Sequence, residues 1–197
     1  MNKVMLCIVL ALTMLLFSSC DDEITDTSLE VIVKDNLGNP VEGASVKLYL
    51  EYSDLQNGID QIGTTQITNT EGKAVFTGLS PVKYYWFAEK ECFNNYNGAV
   101  TTAESLTEGV KNIVNCIVSQ TGTIKMVSTS TNPYKVYFNG SYVFDVAGGQ
   151  TFYSFYKPTG SYSIRVLQIS GYLIYPTDET YSTTLSCGET VTVTFPQ

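Results

Sequence analysis

Short runs in which apolar and polar residues alternate dominate the chain from Leu29 onward. In Leu29–Lys34 every second side chain is apolar, and Ala44–Leu50 repeats the pattern, so each run would turn one apolar face to a core as a β-strand. Gly, Asn, Asp and Pro separate the runs about every eight to twelve residues, which is typical of all-β folds. No long stretch has a helical period, although Thr102–Glu108 fits one short helical turn. The pattern therefore predicts an all-β protein.

The runs form two groups, which predict two small antiparallel β-sandwich domains in series. The stretch Ser119–Thr123 is polar, and nine of the 14 Tyr residues follow position 120, so we expect the junction there. For the first domain, residues 29–119, the predicted strands are Leu29–Lys34, Ala44–Leu50, Ile59–Thr68, Lys73–Phe76, Val82–Ala88 and residues 110–118. For the second, residues 123–197, they are Thr123–Ser128, Tyr134–Phe138, Tyr142–Val146, Gln150–Tyr156, Tyr162–Gln168, Tyr172–Tyr175, Thr180–Ser186 and Thr190–Phe195.

The first twenty residues have the pattern of a lipoprotein signal peptide. Lys3 precedes an apolar run, Val4–Phe17, which ends in Ser18-Ser19-Cys20. The run is about 14 residues long, too short for a stable membrane span of about 20. We expect cleavage after residue 19 and acylation of Cys20, whose lipid would then hold the mature protein on the membrane.

Asp21, Asp22 and Glu23 place an acidic cluster directly after that Cys, in a linker of residues 20–28. The cluster resembles the lipoprotein export signal of Bacteroidota, which implies an outer-membrane protein displayed at the cell surface. Two alternatives remain open: retention in the inner membrane, as an acidic second residue implies in enteric bacteria, and a linker that is merely solvated.

Composition restricts the chemistry. The formal net charge is −8, which argues against nucleic acid as a partner. The chain contains no His, so the usual Ser-His-Asp and Cys-His pairs are absent, as is the commonest metal ligand. Carboxylate-only or Ser-Lys chemistry remains open, but no such pair is evident. We therefore expect no catalytic site, no metal and no cofactor.

Three Cys residues, Cys92, Cys116 and Cys187, remain in the folded part of the chain. A disulfide between Cys92 and Cys116 is one of two candidate arrangements, because both belong to the first domain and the protein is expected outside the cytoplasm. The alternative is three buried thiols that pack as small apolar side chains.

Three ordered blocks of the first domain resemble a known family: Val31-x-Val33-x-Asp35-x-x-Gly38-x-Pro40, Thr70-x-Gly72-x-Ala74-x-Phe76 and Tyr84-x-Trp86-x-Ala88. The family is the carboxypeptidase regulatory-like, transthyretin-like β-sandwich, which is close in fold to CnaB repeats. The resemblance implies a Greek-key sandwich and says little about function. In the second domain, the Gly160-Ser161-Tyr162 turn and the closing Thr190–Phe195 strand resemble PEGA-like sandwiches more weakly.

Aromatic residues are concentrated in two predicted strands, Tyr84–Phe87 and Phe152–Tyr156. Because neighbouring residues of a strand face opposite sides, each run must place aromatics outside its own core. The candidate ligand contacts are Tyr85, Phe87, Tyr96, Tyr153 and Phe155. The alternative is that these side chains fill the sandwiches and the interface between them. The predicted recognition loops are Tyr52–Gly58 and Phe93–Gly98.

Two functional hypotheses follow. The first is a non-enzymatic, lipid-anchored envelope protein that serves as a structural, adhesion or interaction module with a protein partner. The second is a surface lipoprotein that binds a glycan or another ligand as an accessory to an outer-membrane uptake system.

Overall fold

The structure is a computed structural model that describes residues 26–196, except for the side chains of residues 153–155. Cys20, Asp21, Asp22 and Glu23, on which the anchor and export predictions rest, lie outside this range. Within it the protein is almost entirely β-structure. The predicted all-β class is confirmed.

The elements, in chain order, are β1 (Ser28–Lys34), β2 (Ser45–Tyr49), α1 (Tyr52–Asn57), β3 (Ile62–Ile67), β4 (Lys73–Phe76), β5 (Tyr85–Lys90), β6 (Phe93–Asn94), β7 (Lys111–Ile117), β8 (Ser119–Ser128), β9 (Tyr134–Phe138), β10 (Ser141–Val146), β11 (Thr151–Pro158), β12 (Gly160–Gln168), β13 (Asp178–Leu185) and β14 (Thr190–Phe195).

We call β1 to β7 the first unit. Its smaller sheet has the order β4-β1-β7, and β6-β5-β2-β3 belong to the opposing sheet. Alternation in β1 buries Leu29, Val31 and Val33 completely, as the sequence predicted, and they pack with Val46 and Trp86 in one core. The strands β1 and β7 run parallel, so this sandwich is not wholly antiparallel.

We call β8 to β14 the second unit. Its sheet β10-β9-β12-β13 is separate from a group formed by β11, β8 and β14, in which β14 runs parallel to β8. A second core lies within this unit and includes Ile124, Met126 and Val166. Tyr134 meets Phe195 edge to face there, with ring centroids 5.2 Å apart.

A backbone ladder joins the two units. The strands β6 and β8 pair at two positions, Phe93 with Gln120 and Asn94 with Ser119, so one sheet continues from the first unit into the second. The polar stretch Ser119–Thr123, where the junction was expected, is the first half of β8.

The predicted Cys92–Cys116 disulfide is wrong. Cys92 is bonded to Cys187, with their Cα atoms 5.5 Å apart, and Cys116 is a buried free thiol. The reason is the alternation of β7, which turns Cys116 into the first core. Cys92 lies in the turn before β6, where its carbonyl oxygen accepts the N–H of Thr121, while the Thr121 carbonyl accepts the N–H of Gly188. That ladder brings the β13–β14 turn, and Cys187 with it, next to Cys92.

Three local predictions are also wrong. Tyr172–Tyr175 is a loop rather than a strand, and Thr102–Glu108 contains no helix. A helix occurs instead at Tyr52–Asn57, where a loop was expected. Six residues are too few to show a helical period in the sequence, and the helix ends at Gly58, whose φ of 66° suits a residue without Cβ.

Candidate functional site

A groove of about 280 Å³ lies where the two units meet, and we call it the junction groove. It is bordered by the outward face of β2 and β5, by α1, and by Tyr96 and Tyr156, so both units contribute to it. The predicted recognition loops Tyr52–Gly58 and Phe93–Gly98 thus lie on one cavity.

The floor of the groove comes from outward side chains of β2 and β5. The backbones of Lys47 and Phe87 pair across these strands, so both side chains project from the same face. Glu89 projects beside them, and its carboxylate lies 3.4 Å from Lys47 Nζ. Tyr49, on the same face, is buried where α1 packs, and this burial raises the pKa of its hydroxyl. The floor therefore combines aromatic surface with one balanced ion pair.

Helix α1 forms a second wall. Leu55 is its buried residue and holds the helix on the sheet. Asn57 Nδ2 donates to the Ser53 carbonyl oxygen at 2.8 Å, which fixes that amide at the end of the helix. Gln56 is exposed and lines the groove together with Asn57. Amide-bearing side chains and aromatic rings thus line the same groove.

The third wall is aromatic and crosses from one unit to the other. The Tyr156 ring lies 5.6 Å from the ring of Phe87 and 5.4 Å from that of Tyr96, measured between centroids. Asn97 Nδ2 donates to the Tyr156 carbonyl oxygen. Burial is the main cause of a raised pKa of the Tyr156 hydroxyl, and the nearby Glu89 carboxylate adds to it.

Tyr156 has an unusual backbone. Its φ is +49°, in the left-handed region that bulky residues rarely adopt, and it lies within a bulge of β11 between Ser154 and Lys157. A bulge inserts a residue and redirects the side chains around it. Here the bulge contains Tyr156, whose ring contacts Phe87 and Tyr96 of the first unit.

The structure brings together two of the five candidate ligand contacts, Phe87 and Tyr96. Tyr85 contacts Tyr52, with ring centroids 5.9 Å apart, and does not line the groove. Tyr153 and Phe155 belong to β11, but their side chains are outside the described part of the structure. Tyr156 was missed, although it ends the aromatic run that drew attention to β11.

A second feature is a loop between β12 and β13, residues 169–176, which we call the apolar tip. Leu173 is fully exposed, and Ile174 and Tyr175 keep 78% and 84% of their surface exposed. Tyr172, beside them, is about half exposed, at 46%. No charged residue occurs between Gln168 and Thr177. Exposed apolar residues are common singly, but a contiguous group usually marks an interaction site.

The base of the apolar tip is clamped by Gln168, a buried polar side chain. Its Nε2 donates to the Ser170 carbonyl oxygen at 2.9 Å, and its Oε1 accepts the N–H of Thr177 at 3.1 Å. The N–H of Ile169 donates to the Pro133 carbonyl oxygen at 2.8 Å. Both arms of the loop are therefore fixed at their base.

Within residues 26–196, no three His, Cys, Asp or Glu side chains come together as a metal site would require. Nor does that range contain a helix with the length and apolar character needed to cross a membrane.

Neither a family model nor a curated protein matches the chain. Solved structures similar to it include the TIE protein of Bacillus anthracis (13% identity, 87% of this chain and 33% of that one, TM-score 0.38). Others are a streptococcal ancillary pilin (16%, 87% and 63%, 0.40) and a leucine-rich repeat protein from Bacteroides thetaiotaomicron (12%, 87% and 26%, 0.41). The chain spans less than two thirds of each of these proteins, and similarity this distant does not indicate a function.

Proposed function

We propose that this chain is a non-enzymatic module of a bacterial cell envelope that acts in adhesion or structural interaction with a protein partner. In this proposal, lipid on Cys20 holds it at the outer membrane and the acidic cluster Asp21, Asp22 and Glu23 directs it to the cell surface. The observation that carries the proposal is the apolar tip.

The apolar tip has the composition of a protein contact. Burial of a Leu or Ile side chain contributes about 1.5–3 kcal/mol, which Leu173 and Ile174 forgo while they are exposed to water. Tyr172 and Tyr175 flank them, and Tyr is enriched at the centres of protein interfaces because it combines a large apolar ring with a hydroxyl. Since the base of the loop is already fixed by Gln168, less conformational entropy is lost when a partner binds.

The position of the tip agrees with display away from the membrane. Strand β1 begins at Ser28 and reaches the junction at Lys34, whose carbonyl oxygen accepts the N–H of Val118. Ser28, where β1 begins, therefore lies at the end of the first unit far from the junction. The tip follows Gln168, which pairs with Tyr134 beyond the far end of β8, at the end of the second unit away from the junction.

Protease shaving of intact cells tests the anchor and the display. We expect protease to remove the wild-type protein from intact cells, Cys20→Ala to abolish lipidation, and replacement of Asp21, Asp22 and Glu23 by Ala to protect the protein. Full protection of the wild type would place it on the periplasmic side and contradict surface display.

A photo-crosslinking amino acid at position 173 tests the tip. On intact cells we expect an adduct with one defined envelope or surface protein, which Ile174→Ser reduces. The same amino acid at position 142, where Tyr142 is also exposed, serves as the control and should not give that adduct. Equal yields at the two positions, or no adduct at 173, would overturn the role of the tip.

A further inference from the structure

We propose that the junction groove binds a neutral sugar ring, as the free end or a branch of an oligosaccharide. This goes beyond the interaction proposed for the apolar tip and does not depend on it, because the groove and the tip lie at different ends of the second unit.

The aromatic wall suits the apolar face of a pyranose. The C–H groups of a sugar ring form apolar patches that stack on aromatic rings, while its hydroxyls remain at the edge. Phe87, Tyr96 and Tyr156 are each only half-buried, so ring surface remains open in the groove. Their tilted packing, with centroids 5.4 to 5.6 Å apart, builds a curved aromatic surface rather than a closed stack.

The opposite wall supplies hydrogen-bonding groups. Gln56 and Asn57 carry side-chain amides, which both donate and accept hydrogen bonds and therefore match hydroxyl groups. The hydroxyls of Tyr96 and Tyr156 add to this set. A purely apolar ligand would cover the Gln56 amide without offering it a hydrogen bond, which is costly when water is excluded.

The charges favour a neutral ligand of limited size. Lys47 and Glu89 are the charged residues of the lining, and they already pair with each other at 3.4 Å. Neither charge is therefore unopposed, which favours a neutral ligand over an ionic one. The volume of about 280 Å³ lies just below the usual range of small-molecule sites, roughly 300–1,000 Å³, so one or two sugar rings fit better than a long chain.

The backbone at Tyr156 supports a role beyond packing. A left-handed φ is unfavourable at a bulky residue, and such strain is concentrated at ligand sites. Tyr156 has this conformation within the bulge of β11, and its ring borders the groove.

Saturation-transfer NMR with the purified full chain tests the proposal, in a detergent without a sugar headgroup. The ligands are maltose, cellobiose, lactose and N,N′-diacetylchitobiose. We expect at least one of them to bind, Tyr156→Ala to weaken that binding about fivefold or more, and Gln56→Ala about twofold or more. Tyr142→Ala, an exposed Tyr outside the groove, should leave the affinity unchanged.

Two controls separate binding from stability. Thermal unfolding of each variant shows whether Tyr156→Ala disturbs the junction. Gln56→Ala is the second groove variant because Gln56 is an exposed side chain of α1 and lies outside the aromatic cluster of Phe87, Tyr96 and Tyr156. If none of the four sugars binds, or if both groove variants bind as well as the wild type, the proposal is overturned. Leu173→Ser should leave sugar binding unchanged, so this result and that for the apolar tip are distinguishable.

Discussion

Gly122 lies where the backbone of β8 passes closest to the turn between β13 and β14. A Cβ atom at this position would lie 2.6 Å from the Ser186 carbonyl oxygen and 2.8 Å from that of Glu189. Both are backbone atoms, so the turn would have to move to admit a methyl group. We expect Gly122→Ala to lower the free energy of unfolding by about 1–3 kcal/mol, measured by urea denaturation.

Gly98→Ala is the matched control. Its Cβ would meet the Ile117 carbonyl oxygen at 3.4 Å, an ordinary contact, and its backbone does not require glycine. We expect a change within about 0.5 kcal/mol. Equal losses at the two positions would contradict the close approach at Gly122.

The Cys116 thiol should be unreactive in the folded protein. Its burial in the first core raises its pKa to about 12, against a smaller opposing effect of its contact with Trp86. The thiolate is the reactive form, so little of it is present near pH 8. We expect a maleimide to leave Cys116 unlabelled in the native protein and to label it in denaturant, as mapped by peptide mass spectrometry.

A thiol freed near the surface provides the comparison. In a Cys187→Ser variant the thiol of Cys92 is released from its disulfide at a half-buried position. We expect maleimide to label Cys92 in that variant well before Cys116. Rapid native labelling of Cys116 would show that the first core is more open than the structure describes.

At the scale of elements, the β12–β13 hairpin carries an ion pair close to the apolar tip. Arg165 donates to both carboxylate oxygens of Asp178, at 2.7 and 2.6 Å, and these bonds hold the pKa of Asp178 below its usual value of 3.8. Because the folded-state pKa is the lower one, the pair stabilises the protein above the unfolded-state pKa, and this contribution is lost as the pH falls through the folded-state pKa.

We therefore expect Asp178→Asn to destabilise the protein slightly at neutral pH, by no more than about 1 kcal/mol because the pair is exposed. The difference from wild type should shrink toward zero in acid. Urea unfolding of both proteins, from neutral pH down through the folded-state pKa of Asp178, measures this difference in the free energy of unfolding. Glu104→Gln, which removes an exposed carboxylate from a loop, is the control for net charge. A constant difference between Asp178→Asn and wild type at all pH values would exclude the pair as its cause.

Elements whose side chains alternate regularly could be predicted from the sequence, and β9 and β14 have the predicted bounds. The Tyr172–Tyr175 run contains strand-forming residues, yet it leaves the sheet. Gly171 precedes it with a φ of +83° and packs against the Asn132 side chain, which a Cβ at this position would displace. Such a long-range contact leaves no local signal.

The candidate site could be predicted only in part, because some of its residues lie on regular strands and others on irregular elements. Phe87 occupies an outward position of a regular strand, so alternation alone exposes it. Tyr156 borders the same groove from within a bulge of β11, where the register shifts, and no residue pattern indicates that bulge. The helix α1, which carries Gln56, is too short to be recognised from the sequence.

At the scale of the whole molecule, the Cys92–Cys187 disulfide connects positions 95 residues apart, on either side of the boundary between the units. It lies beside the short β6–β8 ladder, which pairs the units at only two positions. A covalent link over such a separation stabilises the fold chiefly by restricting the unfolded chain, typically by about 2–5 kcal/mol.

We therefore expect a Cys92→Ala, Cys187→Ala variant to unfold at a clearly lower urea concentration than the oxidised wild type. Reduced wild type should behave like the variant, and a reductant should not change the variant further, which separates loss of the bond from loss of the side chains. If the variant and the oxidised wild type unfold together, the β6–β8 ladder and the aromatic contacts of Tyr156 hold the two units without help from the disulfide. If they differ as expected, the disulfide adds stability beyond what the β6–β8 ladder and the aromatic contacts of Tyr156 supply.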